Sequence, residues 1–585
     1  EVLSTFEPYY LNTFLTNSEP LAIAIVDGQQ RLTTLLLILI KLRQIIIDIE
    51  NVDALKGKTF SSRSIEKLIF EEDDFGSAAR FKIHNTNRED VFRSLVENLT
   101  FTPTDETQSR VIENYGTISK YFDQFFASTD ESAPYNYQKL TYYISYLLDR
   151  ISIVEIKIEK QKNVAMIFEV VNDRGLGLDP HEILKGKFLG SLEKEKKEAG
   201  NKIWVKIQNE FYSAGLELDS FFQTYFRAKY AGGKTGYDKF SDAHYHNELY
   251  RNEATLREFQ KFQKPELLYQ FVKNTFPYFA NLFLRLQSSY EFEHVFYNRL
   301  NGQGQQFLLI LSAIEQDDPL LDEKIRLVSK KYDQLFTIAN LLEAWDSRDI
   351  QLTIQNLNSQ IRGKSLAEIK NAFDDAILTT LIDKEKIQDL PTNGLPGIFR
   401  YELFKGIRNQ SHAFSKYVLM RIDRYLSEML DMPSYMNESL EELERRFKTG
   451  RKYGLHLEHI IAHNPENKLQ FIDSETGVLD EDKFNRMRNL LGMVLLLKDR
   501  QNESSNNESY RKKFARYDKS DFIWNRLLVG HLDVVDQRGI PKEWAIGTAQ
   551  PTAEHTFPLE KISGRQKSIF EVIKAIWLDE GGEQG

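Results

Sequence analysis

Val26-Asp27-Gly28-Gln29-Gln30-Arg31-Leu32-Thr33-Thr34-Leu35 lies between two apolar runs, Leu21 to Val26 and Leu35 to Ile40. It reads as a strand, a turn at Asp27-Gly28 and a helix that continues to about Glu50. Glycine allows a tight turn that brings backbone N–H groups close to an anion. In such a turn Asp27 could hold a metal or orient a water, and Arg31 could pair with a phosphate. Gln29 and Gln30 could hydrogen-bond a base, a sugar or a phosphate. A strand, Asp-Gly turn and helix is common, so taken alone a structural role is its default reading. No Gly-Lys-Ser/Thr phosphate loop and no G-x-G-x-x-G fingerprint accompanies it.

Working outward, residues 1–30 read as extended and Phe81 to His84 as a short strand. Leu140 to Leu148 has helical periodicity, and Ile151 to Ile158 alternates as a half-buried strand. Asn163 to Val171 reads as a short helix stopped by a second polar turn, Asn172-Asp173-Arg174-Gly175. Two such turns on neighbouring elements could enclose a nucleotide. Asp179 then reads as an N-cap, with Pro180 first and Glu182 third in a helix running into the charged stretch Glu193 to Glu198. From about 205 to 430 the chain is mostly amphipathic helix, with loops expected at Gly232 to Gly236 and Gln388 to Gly397. The last 150 residues or so return to mixed structure, with a polar loop at Gln501 to Ser509.

That C-terminal stretch holds the second constellation: Glu458-His459-Ile460, then Asn502 in the polar loop. An acidic residue and an Asn can hold one divalent cation through hard oxygen ligands, while a neutral His takes a proton from water. Glu458, His459 and Asn502 fit the roles of ligand, general base and ligand. Asn507 either caps the following helix or replaces Asn502 as the ligand. An isolated Glu-His pair is more often a packed histidine. A three-histidine cluster of His456, His459 and His463 ranks low, because no cysteine supports a structural zinc site. Arg445, Arg446, Lys448, Arg451 and Lys452 precede the pair, and Arg511, Lys512, Lys513 and Arg516 follow Asn502. Each cluster alone reads as a solvated helix face; flanking one candidate site, they could equally serve nucleic acid.

The composition bounds these readings. At 585 residues the chain should hold more than one domain. With no cysteine, disulfides, cysteine-ligated clusters and cysteine nucleophiles are excluded, which fits a reducing cytoplasm. A net charge of −10 argues against a non-specific coat on nucleic acid, although an enzyme needs only a local basic surface. The strongest apolar run, Thr33 to Ile49, is broken by Lys41, Arg43 and Asp48, so no membrane span is expected. The chain opens without Met inside what reads as a folded element, so the natural protein is expected to begin upstream.

The Val26 to Leu35 stretch resembles the signature of the ParB-like N-terminal domain of GmrSD-type modification-dependent restriction endonucleases. Phe168 to Gly175, continuing through Leu178, Asp179, Ile183, Leu184 and Lys185, resembles that domain's second motif, and Tyr10-Leu11 the strand before the first. That family's more N-terminal aromatic, Tyr-Gln-Arg segment is not seen. Leu457 to Ile461, through Asn464-Pro465, resembles the first HNH motif of the family's C-terminal domain. Gly492 to Leu497, then Asn502, Asn507, Tyr510 and Lys513, resembles its second half; Arg565 and Ile576-Trp577 resemble its closing helix. Ala462 stands where the family usually has Pro. Met493 stands where it usually has Asn, a residue that braces the loop carrying the base; either Asn489 compensates through a local shift or the nuclease is weakened or inactive.

The resemblance implies a helix-rich α+β protein: a ParB-like nucleotide-binding lobe (1–205), a helical connecting region (206–410) and a ββα-metal (HNH) nuclease lobe (411–585). It implies an endonuclease of restriction or anti-phage type, with Mg2+ or Mn2+ and a nucleoside triphosphate as cofactors. Asp27, Gly28, Gln29, Gln30, Arg31, Asn172 and Arg174 would bind the nucleotide. Glu458 with Asn502 or Asn507 would bind the metal, and His459 would activate water. Its partners would be DNA, often modified, and a second copy of the chain, since duplex cleavage by single-site HNH enzymes often needs two active sites. The rival reading is a non-cleaving, nucleotide-switched DNA- or partner-binding module with a decayed HNH site.

Overall fold

A computed structural model describes residues 7–18, 23–51, 59–71, 80–85, 88–129, 134–159, 179–241, 245–249, 265–448, 454–498, 508–530, 549–554 and 556–578. Two compact units are present, one of residues 1–219 and 264–273, the other of residues 220–263 and 274–585. Asn172, Arg174, Asn502 and Asn507, and the helix expected over 163–171, lie outside the described residues.

In the first unit, β1 (Tyr9–Ser18) is the centre of a three-stranded sheet. β2 (Ile23–Asp27) pairs with it antiparallel and β3 (Ile151–Ile158) pairs with it parallel. The period-two pattern located β3 at both ends. α1 (Gln29–Glu50) leaves β2 after one residue, Gly28, whose φ of 86° is the left-handed conformation glycine adopts without penalty. A Cβ at Gly28 would stand 2.5 Å from Phe14 Cβ on β1, so the turn is tight because this residue has no side chain. α1 buries Leu36, Leu37, Ile40, Leu42, Ile45, Ile46 and Ile49 against the helices Ser62–Ile69, Glu89–Val96, Glu106–Phe125 and Tyr137–Asp149. The last two helices start where Asp105 and Asn136 side chains accept the N–H groups of Gln108 and Lys139, at 2.7 and 3.0 Å.

Several local expectations change. Phe81 to His84 is not a strand: Phe81 makes one bridge to Phe70 and packs its ring into the core. α2 (Pro180–Gly190) begins at Pro180 as expected, but Asp179 makes no side-chain cap. Asp219 takes that role, accepting from His181 N at 2.9 Å and pairing with His181 Nδ1 at 2.6 Å. α2 also stops short of the charged stretch, because Ser191 turns back on the Phe188 carbonyl and a separate helix starts at Lys194. Gly233 to Gly236 lies in a helix, Gly233–Ser241. Tyr237 and Phe240 are buried there, and that packing overrides the low helix propensity of glycine.

The second unit is built on helices. α3 (Leu321–Leu341) carries Asp333, which is fully buried. Asp333 accepts from Tyr417 Oη at 2.5 Å and Arg421 Nη1 at 2.9 Å, both on α4 (His412–Leu430). His294 Nδ1 and Trp577 Nε1 also reach it at 3.2 Å each, and Thr337 Oγ1 donates to it at 3.3 Å. Burial pushes this carboxyl up, but Arg421 and the bonds from His294 and Tyr417 outweigh it and hold it below the usual range. One buried carboxylate thus ties the helical middle to the last helix. Beyond α4 come β4 (Leu455–His459), α5 (Glu481–Arg488) and β5 (Val494–Lys498), then α6 (Tyr510–Tyr517) and α7 (Lys561–Leu578). β4 and β5 form an antiparallel pair in which His459 faces Val494.

Candidate active site

β4 ends on the Glu458-His459 pair. Alternation along a strand sends neighbouring side chains to opposite faces. Glu458 is 6% exposed and pairs through Oε1 with Lys513 Nζ of α6. Lys513 is 1% exposed and also donates to the His459 carbonyl at 2.9 Å. Burial pushes the Lys513 pKa down and Glu458 partly restores it. Lys513 is therefore not part of a basic surface, as its cluster suggested, but the counter-charge that fastens α6 to the end of β4.

His459 is half-buried, and its Nε2 lies 3.1 Å from Asn489 Oδ1. Its pKa is pushed down to about 4, first by burial and then by Arg488; the Asn489 bond opposes this, while Lys513 and His412 add to it. At neutral pH the imidazole is uncharged and can accept a proton.

The surrounding loops are held through main-chain groups. Ile460 N donates to the Met493 carbonyl at 3.0 Å, while the Met493 side chain is fully buried. Arg488 Nε donates to the Ile461 carbonyl at 3.2 Å. Leu491 N reaches the Ile407 carbonyl at 3.0 Å, and Asn409 N the Asn489 carbonyl at 2.8 Å. From α7, Gln566 Oε1 accepts from Gly492 N at 2.9 Å and Arg565 Nε donates to the Gly492 carbonyl. Arg565 is wholly buried with its guanidinium 4.3 Å above the Trp524 ring, and burial lowers its pKa to about 9. A Cβ on Gly492 would meet Gln566 Cα and N at 3.1 Å, so α7 closes on a position that only glycine fills without displacement. Ala462 contributes its carbonyl, which accepts from Asn467 Nδ2 at 3.1 Å. That contact needs no particular side chain at 462.

Of the flanking basic residues, Arg445 and Arg446 are bound to Glu442 at 2.7 and 2.8 Å, and Arg446 also to Glu438 at 3.1 Å. They form a local ion-pair net. Arg451, Lys452 and the Lys448 side chain lie outside the described residues. Arg511 and Lys512 are exposed, and Arg516 pairs with Glu508 at 2.7 Å. Among the described residues no group of three or more His, Asp or Glu side chains is placed to hold a metal, so the three-histidine alternative does not form there. Glu458 Oε1 and the His459 carbonyl both accept from the Lys513 ammonium.

In the first unit, Asp27 Oδ2 and Arg31 Nη2 stand 3.3 Å apart, and Arg31 Nη1 donates to the Thr13 carbonyl of β1. Gln29 Nε2 folds back on the Ile25 carbonyl at 2.9 Å, and Gln29 and Gln30 are exposed. Sequence reasoning missed Arg88, whose Nη1 donates to Thr33 Oγ1 of α1 at 3.1 Å. At the start of α2, which the sequence placed at Pro180, burial raises the Glu182 pKa and lowers that of Lys185.

The Glu458 side chain thus turns to Lys513 and the His459 ring to Asn489, with Arg488 near the ring. The family follows from comparison with known proteins. The model described as GmrSD restriction endonuclease, N-terminal domain, matches residues 2–189. That described as GmrSD restriction endonucleases, C-terminal domain, matches residues 399–572. The chain has both domains in that order and belongs to the GmrSD restriction endonuclease family. No curated protein matches it. No helix among the described residues is long and apolar enough to cross a membrane.

Proposed function

We propose that the chain is an HNH-type, divalent-metal-dependent DNA endonuclease whose cutting is gated by a nucleoside triphosphate. The observation that carries this reading is the half-buried, uncharged His459 at the end of β4, next in sequence to Glu458, whose buried carboxylate turns to Lys513. His459 takes the proton from an attacking water. Glu458 with Asn502 or Asn507 would hold Mg2+ or Mn2+, which when bound stabilises charge on the phosphate and the leaving oxygen. The antiparallel β4–β5 pair, with α5 between its strands and α6 after it, supports a ββα-metal reading. Asp27, Arg31 and the two glutamines, with Asn172 and Arg174, would take the nucleotide in a ParB-like lobe. Substrates would be invading DNA, often with modified bases or backbone, and duplex cleavage would use two copies of the chain.

The test is cleavage of supercoiled plasmid, modified and unmodified, with Mg2+ or Mn2+ and with or without nucleotide. Metal-dependent scission that responds to nucleotide and is abolished by His459→Ala is the expected result. Met493 favours the rival, a module that binds DNA without cutting it. Retained DNA binding with no scission on any substrate would establish that rival.

A further inference from the structure

We infer that Asn489 is the positioning residue for His459, supplying from the end of α5 the side-chain brace that Met493 cannot provide. The inference rests on His459 being the base of the proposed nuclease, and it concerns how that base is aimed.

Met493 lies in the hydrophobic interior with no exposed surface, and its thioether is at best a weak acceptor. Only its carbonyl serves the site, through Ile460 N at 3.0 Å. Any residue at 493 would keep that main-chain bond, so the bond secures the strand end without orienting the imidazole. Asn489 does contact the imidazole, with Oδ1 3.1 Å from His459 Nε2. An amide oxygen only accepts, so Nε2 must carry the hydrogen. A neutral imidazole has one N–H, which leaves the lone pair on Nδ1 and selects the proton-accepting atom.

Asn489 is itself fixed. It is the C-cap of α5, with its N–H on the Asn485 carbonyl at 3.2 Å and its own carbonyl accepting from Asn409 N at 2.8 Å. Arg488 Nη1 stands 3.5 Å from the same Oδ1, and Arg488 Nε is tied to the Ile461 carbonyl just past the base. The side chain that aims His459 is therefore anchored at both of its backbone groups and flanked by a guanidinium that keeps its oxygen turned inward. These anchors are main-chain bonds, so a substitution at 489 removes the brace and leaves the turn in place.

The experiment uses the full chain without metal, labelled with 15N in the histidine rings, and compares wild type with Asn489→Leu and Asn489→Asp. Wild type and Asn489→Asp, which both present an acceptor, are expected to show His459 as the single Nε2–H tautomer. Asn489→Leu is expected to show both tautomers at an unchanged melting temperature. Plasmid cleavage is expected to fall about 10- to 100-fold in kcat for Asn489→Leu with KM unchanged, and to return to within a few-fold for Asn489→Asp. An Asn489→Leu protein that keeps the single tautomer overturns the inference, as does one that turns over at the wild-type rate. Absence of cleavage in the wild type would instead refute the nuclease reading, while an Asn489-dependent tautomer would still uphold the brace.

Discussion

At the end of β2, Asp27 and Arg31 pair with side chains 16% and 29% exposed; at the end of β4, Glu458 and Lys513 pair at 7% and 1%. Both are strand-end carboxylates joined to a cation, yet they do different physical work. The first is a polar lip whose groups satisfy one another near water and can exchange partners at low cost. The second is sealed, so each charge depends on the other, and the seal extends to the His459 carbonyl. The partly exposed pair can give up its partner to another polar group, whereas the buried pair holds two chain segments in a fixed arrangement.

Breaking each pair should separate the two regions most strongly. Lys513→Met leaves Glu458 buried without its counter-charge and is expected to cost about 3–5 kcal/mol in denaturant unfolding. A loss under about 1 kcal/mol would mean that Glu458 finds water or another partner. Next in size is Gly28→Ala, which forces a side chain into a φ of 86° and against Phe14. We expect a loss of about 1–3 kcal/mol; an unchanged midpoint would mean that the turn is not held against β1.

A pH titration addresses the sealed site directly. The folded His459 value of about 4 lies below the ordinary 6.5, so the unfolded chain binds the proton first as pH falls. This contribution to stability is complete above about 6.5, is lost between about 6.5 and 4, and should be absent from His459→Gln. An identical acid slope in the variant would place His459 in water. The smallest effect is expected for Arg31→Gln, at most about 1 kcal/mol, because its ion pair is partly exposed. A loss as large as that of Lys513→Met would erase the contrast between the regions.

What could be read from the sequence follows the range of the interactions involved. The alternation over Ile151 to Ile158 and the break at Gly28 are local signals, and β3 and α1 appear where they place them. Glu458 and His459 end a strand, β4, as the resemblance to an HNH motif implies. The Lys513 contact was not legible, because a lysine among four basic residues looks like surface until α6 turns it onto β4. Asn489 could be named only as a possible compensator, since its reach depends on where α5 ends relative to β4. The Asp219 cap on α2 is likewise a contact between distant segments, and spacing near Asp179 could not disclose it.

Single-turnover nicking of supercoiled plasmid with Mn2+, comparing wild type, His459→Ala and Arg31→Gln with and without nucleoside triphosphate, tests most directly that cutting belongs to the strand-end histidine. His459→Ala is expected to lose at least about 100-fold in rate, while Arg31→Gln still cuts but no longer responds to nucleotide. Wild-type nicking by His459→Ala would contradict the assignment.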